Sequence, residues 1–161
     1  MRTTHHLKCF TAVAFCFVAA GGYAQQVPEG VVVFNPAKAQ WGATATPGGR
    51  PGVEQAFIQG HVIKPGPYLY QVKFPPNFVA PAHTHPDTRT YTVLSGTWYI
   101  GFGNKFDESK LIALPAGSFY TEPKGVPHFV ATRNETVTVQ IGGTGPSRLI
   151  YVNPADAPAK K

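Results

Sequence analysis

The chain has 161 residues, which suits one domain and is too short for two ordinary ones, and its 43% hydrophobic content excludes global disorder. Its 17 glycines and 16 prolines, with few long apolar periodic runs, favour short strands joined by turns over helices. The formal charge of +6 comes from scattered Lys and Arg. No basic stretch is interleaved with aromatics, so the electrostatic footprint of a nucleic-acid binder is missing.

Residues 1–24 read as a secretory signal. Arg2 and Lys8 supply a positive start, residues 10–20 an apolar run, and Gly22-Tyr23-Ala24 puts small residues where a signal peptidase cuts. The run is about half the roughly 20 residues that a spanning helix needs, which argues against a membrane anchor. Phe15 directly before Cys16 argues against a lipoprotein signal. Both cysteines, Cys9 and Cys16, fall inside this segment, so the processed chain would carry no disulfide. The expectation is a secreted or periplasmic bacterial protein that begins at Gln25 and has no membrane contact after cleavage. Loss of Arg2 and Lys8 would lower the formal charge from +6 to +4.

Residues 25–55 are rich in Gly, Pro and Ala and read as an N-terminal arm, with one short strand at 31–34 and a loop through Thr46-Pro47-Gly48-Gly49. From Ala56 onward the rhythm is strand, turn, strand. Strands are predicted at 56–63, 68–74, 91–102, 111–114, 118–121, 128–132, 136–141 and 149–152, with a tail at 153–161. Gly and Pro punctuate the gaps. Val137, Val139 and Ile141 alternate with Thr136, Thr138 and Gln140; Tyr68, Tyr70, Val72 and Phe74 share a face. Such alternation gives every strand two environments, as in the wall of an all-β sandwich or barrel.

Beyond the signal the sequence holds four histidines: His61, His83, His85 and His128. His83 and His85 are two apart, so on a strand both imidazoles point to one face and can converge. Neutral imidazole is a common metal ligand. The pair alone is weak, because histidines recur at this spacing by chance. Pro123-Lys124-Gly125 is a tight turn, with Pro fixing one φ and Gly admitting a conformation other residues resist.

The surroundings of these histidines resemble the cupin superfamily. Its first motif, G-x5-H-x-H-x3-4-E-x6-G, is similar to Pro81-Ala82-His83-Thr84-His85 followed by Gly96. Its second, G-x5-P-x-G-x2-H-x3-N, is similar to the run from Gly117 through Pro123 and Gly125 to His128. The resemblance implies an antiparallel jelly-roll barrel over 56–152, a small single-domain bacterial cupin. It also implies that His83, His85 and His128 hold one divalent ion: Fe, Mn, Zn, Ni or Cu.

Two departures stand out. The family's glutamate falls on Arg89, or on Thr90 at the looser spacing, and its closing asparagine on Thr132. Three neutral histidines with open positions would be the pattern of a catalytic metal. An inward Arg89 would be placed for bidentate contact with a substrate carboxylate or another anion; an outward one is a solvated cation. Asp87 is not expected to reach the metal. Gln140 could orient a ligand or be an exposed strand polar group. Tyr91, with Tyr70 and Phe119, could line the pocket or belong to the core. His61 lies off the motifs. What this implies is metal-dependent, dioxygenase-type oxidation of a small organic substrate, anionic if Arg89 faces in. The alternative is a non-catalytic periplasmic cupin that binds or senses a small ligand. A homodimer stays open.

Overall fold

The computed structural model describes residues 26–158; the signal-like segment 1–24 lies outside the described residues. Residues 26–31 belong to a different unit from the one that begins at Val32, and hold a single turn. The larger unit is built from β1 (Gly42–Ala43), β2 (Glu54–Gln59), β3 (Gly66–Phe74), β4 (Val79–Thr84), β5 (Arg89–Ser95), β6 (Thr97–Phe102), β7 (Ile112–Pro115), β8 (Phe119–Glu122), β9 (His128–Ala131), β10 (Val137–Gly145) and β11 (Ile150–Tyr151). Three one-turn 3-10 helices complete it, and no helix among the described residues is long and apolar enough to cross a membrane.

The strands form two antiparallel sheets, ordered β1-β2-β3-β10-β5-β8 and β11-β4-β9-β6-β7. This is an all-β jelly-roll barrel. Period-two alternation builds its inside: Tyr70 and Val72 of β3, Tyr91 and Val93 of β5 and Val139 and Ile141 of β10 face Ala80, Trp98, Ile100 and Val130 of the second sheet. Burying each larger side chain of this kind contributes about 1.5–3 kcal/mol.

Turn chemistry decides where the chain changes sheet. The predicted 91–102 strand is two strands, β5 and β6, split at Gly96 with φ 73°. A Cβ there would lie 2.9 Å from the Thr136 carbonyl oxygen, so only glycine fits without a shift. Gly125, φ 75°, does the same between β8 and β9 and brings the chain back for His128.

Three expectations change. No strand forms at 31–34. The barrel unit begins ahead of residue 56, because β1 pairs with β2 and Gln55 bonds the loop beyond β1, donating to Thr46 Oγ1 at 2.7 Å and accepting from the Ala45 amide at 2.8 Å. The strand β4 was not predicted: Pro81 and a register slip break the alternation by which strands are read.

Candidate metal centre

That slip builds the site. β4 and β9 pair Val79 with Ala131 and Ala80 with Val130, then lose one residue of register, so that His83 lies opposite His128. The slip reverses the parity of β4. His83 and His85 thereby line the same interior as Ala80, although they sit at odd spacing from it. Ring centroids are 4.2 Å apart for His83 and His128, 5.1 Å for His83 and His85, and 5.3 Å for His85 and His128. One ring nitrogen of each lies within 4.8 Å of the others, and all three side chains are buried.

Each Nδ1 meets a backbone carbonyl: His83 that of Pro81 at 2.7 Å, His85 that of Arg148 at 2.8 Å, and His128 that of Val126 at 3.1 Å. A carbonyl only accepts, so each Nδ1 carries the proton and each Nε2 keeps its lone pair. Burial also favours the neutral rings. It pushes the His83 pKa down to about 4 and that of His128 to about 3, and holds His85 well below its usual value. Three neutral imidazoles with fixed tautomers suit a divalent ion.

A fourth group was missed in the sequence. Glu122 ends β8, directly opposite Arg89 in the pairing with β5. Its side chain is 1% exposed, with Oε2 3.2 Å from His128 Nε2 and Oε1 3.9 Å from His85 Nε2. Neither oxygen has a hydrogen-bond partner. Burial pushes its pKa up to about 8, and the Arg89 charge and the nearby Tyr91 hydroxyl offset this only in part. His128 Nε2 and Glu122 Oε2 are both lone-pair atoms, so their approach needs a cation or a proton between them. The histidines and this orphaned carboxylate therefore fit a metal ion. The only sequence signal was a glutamate immediately before Pro123 of the second motif.

Arg89 points inward and is 2% exposed. Its Nε donates to Asp87 at 3.3 Å, one terminal nitrogen to Ser147 Oγ at 2.5 Å, and the other lies 3.3 Å from His85 Nε2. Asp87 also accepts from the Tyr68 hydroxyl at 2.5 Å and from Ser147. The expected anion fork is thus already occupied: Asp87 compensates the charge, and no pair of parallel N–H groups is left for a substrate carboxylate. Asp87 pairs with Arg89 and is not among the grouped metal-binding side chains.

A cavity of about 70 Å³ adjoins the histidines, lined among others by Tyr70, Phe74, Tyr91, Trp98 and Tyr120 and by Thr46 and Arg50 of the preceding loop. Tyr91 stacks on Tyr120 with centroids 4.5 Å apart. Gln140 is not brought to this cavity. It lies between the inward Val139 and Ile141, on the other face of the sheet, and accepts from Gln71 at 3.4 Å. Phe119 is exposed, and His61 stacks on Phe57.

The cupin domain family matches residues 70–142, a span that holds all three histidines and Glu122. The likeness to the cupin domain is thus one of residues 70–142. The fold of the chain is similar to solved cupin-type structures. The polyketide cyclase RemF from Streptomyces resistomycificus aligns with TM-score 0.61 at 16% identity, over 77% of this chain and 88% of that one. An RmlC-like cupin from Shewanella frigidimarina aligns with TM-score 0.53 at 11% identity, over 70% and 89%. At such identities the likeness is one of fold alone. In sequence, the chain is similar to germin-like proteins of Oryza sativa subsp. japonica. Germin-like protein 2-2 is 39% identical over 94 residues, covering 55% of this chain and 42% of the relative; germin-like protein 8-2 is 36% identical over 64 residues, covering 38% and 29%. The chain therefore spans less than half the length of the curated relatives it matches.

Proposed function

We propose that this cupin is an exported, metal-dependent oxidoreductase that acts on a small organic molecule in the barrel cavity, by a dioxygenase-type route. One observation carries the metal part: three buried imidazoles have every Nδ1 engaged by a backbone carbonyl, which leaves their three Nε2 lone pairs as the acceptor atoms of one interior, that of His85 facing an Arg89 terminal nitrogen at 3.3 Å. A bound divalent ion would supply Lewis-acid activation, and dioxygen chemistry if it is redox-active. The chain's own part is to shape and dry the site. Tyr91, Tyr120, Trp98 and Tyr70 wall the cavity with apolar surface, and about 70 Å³ gives room for roughly five water-sized groups. Because Asp87 already compensates Arg89, an uncharged aromatic or enolic substrate suits the cavity better than a carboxylate. Export rests on the signal-like residues 1–24.

The test loads metal-stripped protein with Fe²⁺, Mn²⁺, Zn²⁺, Ni²⁺ or Cu²⁺ and follows oxygen uptake with a panel of small phenols and enols. The expected result is one ion per chain and metal-dependent uptake. Stoichiometric metal and tight ligand binding without turnover would favour the non-catalytic binding or sensing alternative. Mass analysis of the exported chain should give an N-terminus at Gln25; full-length chain in the membrane fraction would refute export.

A further inference from the structure

We propose that Glu122 is the acidic ligand of this centre, supplied by β8 in place of the carboxylate that the first motif lacks at Arg89. The inference rests on the metal reading above and deepens it. Four observations converge. Glu122 is 1% exposed, and both its oxygens lack a hydrogen-bond partner. A buried ionised carboxylate without a partner is strongly unfavourable unless a cation or proton compensates it. The obvious internal cation is Arg89, directly across the strand pair. Yet Arg89 turns to Asp87, Ser147 and His85 and leaves Glu122 alone.

Distance gives the third argument. Two donors about 2.0–2.2 Å from one ion, at roughly 90–110° to each other, lie about 3.0–3.5 Å apart. Glu122 Oε2 and His128 Nε2 are 3.2 Å apart, the spacing of neighbouring ligands, while the second oxygen stands 3.9 Å from His85 Nε2. Charge gives the fourth. With Arg89 balanced by Asp87, three neutral histidines alone would leave both charges of a divalent ion uncompensated in a buried site. Glu122 would remove one of them. A carboxylate is also a harder donor than imidazole, so its presence favours Mn²⁺ and Fe²⁺ relative to a site of nitrogen alone. Glu122 ends β8 directly before Pro123, and the turn that follows returns the chain for His128.

The experiment titrates Mn²⁺, Zn²⁺ and Cu²⁺ calorimetrically, at one fixed pH, into metal-stripped wild type and Glu122→Gln, with thermal unfolding as the check on folding. Glu122→Gln keeps the shape and removes the charge. Losing a direct ligand should weaken Mn²⁺ binding by at least roughly tenfold, the low end of what even outer partners cost, and weaken Cu²⁺ binding less. A crystal structure of Mn²⁺-loaded wild type, located by anomalous scattering, gives a variant-independent answer should Glu122→Gln fail to fold. A Glu122 oxygen at about 2.0–2.3 Å from the ion supports the proposal. An ion on the three histidines with Glu122 remote, or equal affinities in wild type and Glu122→Gln, overturns it and leaves the three-histidine centre standing. No stoichiometric ion in wild type overturns both.

Discussion

Asp87→Asn is the most informative single change for the site's electrostatics. Asp87 is 8% exposed and Arg89 2%, so the pair is dry on both sides. At 3.3 Å and an effective dielectric constant of about 20, two unit charges attract by about 5 kcal/mol. Removing one partner of a buried pair typically costs about 3–5 kcal/mol, because the survivor stays buried and uncompensated. Asn has nearly the same shape but a single acceptor oxygen. It can serve either Tyr68, which donates to Asp87 Oδ2, or Ser147 and Arg89, which donate to Oδ1, so one hydrogen bond is lost along with the charge. For a domain of this size each kcal/mol lowers Tm by about 3–5 °C, so Asp87→Asn should fall by roughly 10–20 °C. Arg89→Met should fall comparably, since it strands Asp87 instead. The double variant Asp87→Asn/Arg89→Met should lose much less than the two singles together, which is the mark of a coupled pair. Urea and thermal unfolding of the metal-stripped proteins measure all four corners of this cycle. Additive losses, or single losses below about 1 kcal/mol, would refute the reasoning and mean that water reaches the pair. Asp87→Asn should also weaken metal binding, because it adds an unbalanced positive charge 3.3 Å from His85 Nε2.

Other outcomes follow from the same geometry. His128→Ala should reduce bound metal from one ion per chain to nearly none by elemental analysis, with the β-rich circular dichroism spectrum retained. Gly101→Ala should destabilise by about 1–3 kcal/mol in urea unfolding, because an added Cβ would overlap the fully buried Phe129 ring. The metal-stripped protein should be most stable near pH 6.5. Below that the unfolded chain binds protons that folded His83 and His128, at about 4 and about 3, refuse, so stability falls with pH. Above it Glu122, raised from 4.5 to about 8, holds a proton that the unfolded chain has already released, so stability falls as pH rises toward 8. A urea midpoint that rises steadily from pH 6.5 to 8 would contradict this.

The legible part of the fold was the part with unbroken periodicity. Tyr68, Tyr70 and Val72, and Val137, Val139 and Ile141, read as one face each and line one face each. The histidine spacing and the Pro123-Gly125 turn were equally plain, because their meaning is local. The strand that carries His83 was not legible: its inward residues change parity between Ala80 and His83, and Pro81 sits where they change. Gln140 was a different failure. The alternation of 136–141 already assigned it to the face away from Val139 and Ile141, and its polarity drew it into the site against that pattern. Strand alternation could not pair Arg89 with Asp87 either, because Asp87 lies in the bend ahead of β5. Nor could it place Glu122, whose position depends on which strand lies beside β5.

Position 89 and position 122 are therefore better read as one unit than as two. They are cross-strand partners, and a carboxylate on either backbone starts from adjacent points on the same sheet. In a linear motif, arginine at the first position looks like a lost ligand and a site made hostile to cations. In the folded chain Asp87 compensates that arginine, and a carboxylate returns from the next strand with both oxygens unengaged. Counting Asp87, Arg89 and ionised Glu122 with the three neutral histidines, the protein offers one net negative charge, the charge of a single glutamate beside three histidines. A departure from the motif at one residue thus argues for loss of the metal only after the strand beside it has been searched for the missing charge.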